Sequence, residues 1–109
     1  MPARPKTIKV LHATYNVQYV KEDFDLGDDA YGVCIHDRLT IKISRTAPKD
    51  IIKSTLWHEC LHCVYYWYGV LDYEDEEPVV NKIATGTLQF MLDNPQAMQY
   101  ITNNGTNRA

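Results

Sequence analysis

His58, Glu59 and His62 stand in the order His-Glu-Cys-Leu-His, a His-Glu-x-x-His spacing. Residues four apart on an α-helix share a face, so two imidazoles at this spacing can be offered to one metal ion, while Glu59 is rotated to address a water held there. Such a set can carry out hydrolysis: two neutral nitrogen ligands for zinc, and a carboxylate that takes and returns a proton. A catalytic zinc keeps three protein ligands and one open position, so a third side chain is needed from outside the motif. The acidic run Asp72-Tyr73-Glu74-Asp75-Glu76-Glu77 is the obvious source. Glu77, 15 positions after His62, shares a helical stripe with Val80, Ala84, Leu88 and Met91, and that stripe is expected to pack against the motif helix. Glu76 shares a neighbouring stripe with Val80, Ile83, Thr87 and Phe90, so periodicity separates the two glutamates poorly; Glu77 is preferred. Asp72, Glu74 and Asp75 read as solvated charges favoured by the dipole at a helix start.

Other reactive side chains have plainer readings. Cys60 and Cys63 form a Cys-x-x-Cys, but mid-helix they lack the helix-start setting of a redox pair and read as small buried apolar residues. A structural zinc site through both would need two more ligands from Cys34, His12 and His36. Tyr65, Tyr66, Tyr68 and Tyr73 follow the motif; a phenol near a metal can donate to a developing oxyanion, although packing is the commoner role. Trp57 and Trp67 read as core or cleft wall, and His12 and His36 as ordinary strand or turn histidines.

The elements that must position these groups follow from patterning. Thr46-Ala47-Pro48 opens the motif helix, which runs from about Pro48 to Tyr68, and Gly69 stops it. A second helix is expected over about Asp75 to Asp93, ended by Asn94-Pro95. Upstream, Thr7 to Tyr15 alternates as a strand, and Val17 and Val20 mark a short second one. Lys21 to Ala30 is a polar loop. Tyr31 to Ile35 and Leu39 to Ser44 alternate on either side of His36-Asp37-Arg38, as a β-hairpin does. The strand Leu39 to Ser44 is expected at a sheet edge, where an extended peptide could add by backbone pairing. The fold class is therefore α+β: a short antiparallel sheet of about three strands, packed on the motif helix and a second helix. Residues 96–109 are expected to form a short helical turn and a frayed tail.

With 109 residues, 45% hydrophobic and 23% charged, the chain suits one globular domain spanning 1–109 with its core in about 7–95. A net charge of -3 with no basic block argues against nucleic acid as a partner. Three cysteines form no paired framework, and Met-Pro-Ala-Arg-Pro-Lys is no signal peptide, so the expected location is the reducing cytosol. Cys60 to Leu71 is shorter than the roughly 20 residues of a membrane span, and no membrane partner is expected.

Leu-Trp-His-Glu-Cys-Leu-His at 56–62, Gly69, Glu76-Glu77 ahead of Val79-Val80, and Asp93-Asn94-Pro95 resemble minimal zinc metallopeptidases of the zincin group, namely the small gluzincin-like and SprT-like proteins often encoded by phages and prophages. The likeness, hairpin included, spans roughly residues 7–95. It implies a short antiparallel sheet packed on the metal-binding helix, with His58 and His62 as zinc ligands, Glu59 as catalytic acid/base and Glu77 completing the site. SprT-like proteins use a histidine as third ligand; none follows His62 here, which favours the glutamate variety. The expected function is zinc-dependent hydrolysis of peptide bonds in a peptide or protein substrate. Its rivals are a phage-type zinc-binding module that binds a host protein without cleaving it, and hydrolysis of a non-peptide amide by the same centre.

Overall fold

A computed structural model describes residues 3–21, 26, 31–69 and 76–103, with the side chains of 76–78 and 80 left aside. The expected loop Lys21 to Ala30, the acids Asp72, Glu74 and Asp75, Tyr73 and the end of the tail fall wholly or largely outside these residues.

The chain opens with β1 (Thr7–Val10) and β2 (Ala13–Val20), continues through β3 (Gly32–Ile35) and β4 (Thr40–Ser44), and ends in α1 (Lys49–Tyr68), α2 (Glu76–Asp93) and α3 (Pro95–Thr102). The class is α+β, as the patterning indicates, but the sheet has four strands in the order β1-β2-β4-β3. β1 and β3 pair antiparallel with their neighbours, whereas β2 and β4 run parallel, from Asn16 opposite Thr40 to Val20 opposite Ser44. The sheet is thus mixed rather than antiparallel. A hairpin shows in local alternation, but which of its strands docks beside an earlier one depends on long-range packing.

Two boundaries also shift. The run expected as one strand from Thr7 to Tyr15 reverses at Leu11-His12, where Leu11 takes a φ of 54°. That left-handed conformation costs a non-glycine residue roughly 1–2 kcal/mol, and no glycine or asparagine marks the turn. Reversal lets Tyr15 and Val17 of β2 join Ile8 and Val10 of β1 in the core. At the other end, α3 forms two helical turns, and its Ala97 and Tyr100 are buried, so the core extends past residue 95.

α1 lies on one face of the sheet. Ile52, Leu56, Cys60, Cys63 and Val64 meet Ile8, Val10, Tyr15, Ile41 and Ile43 in a single cluster. The first turn closes with the amide of Ile52 donating to the carbonyl of Pro48, without a side-chain cap from Thr46. Gly69 ends α1 at a φ of 66°, the conformation for which glycine is suited. α2 runs antiparallel to α1: Phe90 meets Trp57 edge-on, Gly86 sits against Val64 and Tyr68, and Lys82 Nζ donates to the carbonyl of Gly69 at 3.3 Å. The stripe expected to face α1 is instead largely solvent-facing, with Leu88 59% and Met91 40% exposed. The true contact is built on Gly86, where an added Cβ would stand 2.9 Å from Val64 Cγ1, so the absence of a side chain sets the approach. Asn94, buried between α2 and α3, accepts from the amide of Lys9 and donates to its carbonyl, both at 2.8 Å, like an added strand residue against β1. No described helix is long and apolar enough to cross a membrane.

Candidate active site

His58 and His62 stand one turn apart on the side of α1 that borders the sheet, and both are exposed. Their Nε2 atoms approach to 3.1 Å with the rings nearly perpendicular. Two nitrogens about 2.0–2.1 Å from one tetrahedral zinc stand about 3.4 Å apart, so the spacing and the donor type both fit such an ion. Glu59 is rotated toward the core and only 6% exposed, yet it lines the same cavity as the two histidines. Burial pushes its carboxyl above the ordinary range, and the neighbouring His58 and His62 partly offset that rise.

The opposite wall of this cavity is β3, through Gly32, Val33 and Cys34, with His36 at its end. Gly32 lets the strand come this close: a Cβ there would lie 2.5 Å from Thr55 Cγ2, one turn before His58. Leu39 to Ser44, expected at an edge, is the interior strand β4, flanked by β2 and β3. The edge beside the histidines belongs to β3. Among the described residues β3 pairs with β4 alone, while Asn94 occupies part of the β1 edge at the far side of the sheet.

Beneath the histidine pair lies a second cluster. Cys34 Sγ stands 3.4 Å from Cys63 Sγ and 3.5 Å from His36 Nδ1, and the three ligand-type atoms all fall within 4.8 Å of one another, a group that could hold a metal ion. Trp67 donates its indole N–H to Tyr15 Oη at 2.7 Å, and Tyr15 Oη lies 2.7 Å from His36 Nδ1. Burial and the proximity of His62 lower the His36 pKa, which favours the neutral ring. Tyr66 stacks on it with centroids 4.0 Å apart.

The structure therefore brings His58, Glu59 and His62 together. The side chains of Glu76 and Glu77 lie outside those described; their backbone forms the first turn of α2. Cys60 is a buried apolar residue, as its mid-helix position suggests, whereas Cys63, equally buried, meets another thiol. His36 is more than a turn histidine. The Cys-x-His spacing carried a usable signal: His36 opens the 3-10 turn that follows β3 and still meets Cys34, two residues before it.

No protein-family model matches this chain, and comparison with curated proteins and with solved structures also gave no match.

Proposed function

We propose that the protein is a zinc-dependent metallopeptidase whose centre is His58, Glu59 and His62. The observation that carries this reading is the convergence of the two Nε2 atoms, 3.1 Å apart, over a cavity that the buried Glu59 also lines. His58 and His62 would hold the ion, with a third ligand from Glu77 or Glu76 in the first turn of α2. With Lys82 beside Gly69, the first turn of α2 extends past the C-terminal end of α1, so a ligand from Glu77 or Glu76 would have to come from a turn that leaves this packing. Zinc, when bound, polarises the scissile carbonyl and lowers the pKa of a water in its open position to about 7.

The remaining work falls to the chain. The Glu59 carboxylate accepts the proton of the attacking water and passes it to the leaving amine. The β3 edge supplies backbone donors and acceptors for an extended peptide, and Gly32 keeps that edge close to His58. His58→Ala and His62→Ala should each lose one zinc equivalent from the wild-type complement while staying folded, as measured by metal analysis and circular dichroism. Unchanged zinc in both would remove the site.

A further inference from the structure

We infer that Cys34, Cys63 and His36 form a second metal site, thiolate-rich and distinct from the His58–His62 pair, that takes a divalent ion of the zinc class. The inference does not depend on the proposed peptidase activity. Zinc bonds of about 2.3 Å to sulfur and 2.0–2.1 Å to nitrogen set tetrahedral edges of about 3.8 Å between two sulfurs and about 3.6 Å between sulfur and nitrogen. The observed separations, 3.4 Å for Cys34 Sγ to Cys63 Sγ and 3.5 Å for Cys34 Sγ to His36 Nδ1, come within a few tenths of an ångström of those edges. Two edges of a tetrahedral face are thus present, and the third pair, Cys63 Sγ and His36 Nδ1, lies within 4.8 Å. Two thiolates and an imidazole are a ligand set suited to zinc rather than to a hard cation such as magnesium or calcium.

Binding balances without redox chemistry. Two S–H bonds break, two metal–sulfur bonds form, and two protons leave through the cavity that Cys34 and His36 line. Two thiolates cancel the charge of a divalent ion, which suits a position where Cys63 is buried and Cys34 and His36 are half-buried. A fourth ligand could be solvent, which the cavity lined by Cys34 and His36 would admit. Tyr15 and Trp67 form the supporting shell. With the indole N–H donating to it, the Tyr15 hydroxyl keeps its own proton, which it must turn away from His36 Nδ1 when that nitrogen binds the ion. Because Cys34 lies on β3 and Cys63 on α1, the bound ion staples the edge strand to the helix that carries the motif.

The test is anaerobic titration of the reduced full-length chain with Co2+, following thiolate-to-cobalt charge transfer in the near ultraviolet. The background is the double variant His58→Ala/His62→Ala, so loss of the first centre cannot imitate loss of the second. The expected result is about one equivalent of Co2+ bound with a charge-transfer band, and a melting temperature that rises on loading. Cys34→Ser, at a half-buried position, should abolish the band, and Cys60→Ala should leave it intact. Absence of the band in the double variant while all thiols titrate as free, or a band that survives Cys34→Ser, would overturn the inference.

Discussion

At the residue scale, the motif separates its labour by rotation on one helix. His58 and His62 face the cavity and solvent, while Glu59, one position on from His58, reaches the same cavity from the buried side. This much was legible, because the i, i+4 relation follows from helix geometry alone. The third ligand was not, since the stripe used to rank Glu77 over Glu76 faces solvent at Leu88 and Met91. Referred to the Gly86–Phe90 direction that faces α1, at 100° per residue, position 76 falls about 60° away and position 77 about 160° away. Phase alone points toward Glu76, but with Lys82 beside Gly69 that turn lies past the end of α1, so phase does not decide between the two. Calorimetric zinc titration of Glu76→Gln and Glu77→Gln decides it: the true ligand should cost more than about 100-fold in affinity, beyond the usual effect of an outer-shell residue, and the other should cost little. A larger loss in Glu77→Gln would return the role to that residue.

At the scale of elements, the site depends on how closely β3 approaches α1. Gly32 permits that approach, which its position in the pattern did not reveal, because a glycine in an alternating strand can equally mark a bulge or a turn. Gly32→Ala would drive a Cβ to 2.5 Å from Thr55 Cγ2. Overpacking of this kind costs about 1–3 kcal/mol, to be read as a lower midpoint in urea denaturation. Thr55→Ser removes the opposing methyl and should recover most of the loss. Equal stability of Gly32→Ala and wild type would show that the strand can yield. The hairpin β3–β4 and the helix boundaries at Gly69 and Asn94-Pro95 were readable because alternation, glycine and proline act locally. The parallel pairing of β2 with β4, the turn at Leu11 and the Gly86 contact were not, because each is set by packing between residues far apart in the chain or by the absence of a side chain.

At the scale of the whole molecule, a sheet with a helix laid across its apolar face and two helices closing the end place β3, which among the described residues pairs with β4 alone, beside the exposed histidine pair. Asn94 ties the far edge to the helical layer, which leaves the β3 edge as the surface suited to an extended chain. Under the proposed reading, this arrangement would give a small α+β domain both a hydrolytic centre and an edge on which to lay a peptide. In the proposed reading Glu59 moves a proton and is no ligand, whereas an interaction module with the same ligands would not need that carboxylate. The direct measurement is cleavage of a diverse unstructured protein pool by zinc-loaded wild type and Glu59→Ala, with metal content and circular dichroism recorded for each. The expected result is wild-type cleavage, with a loss of about 10²–10⁴-fold in Glu59→Ala at unchanged zinc and fold; equal cleavage by both proteins, or none by the wild type, would contradict it.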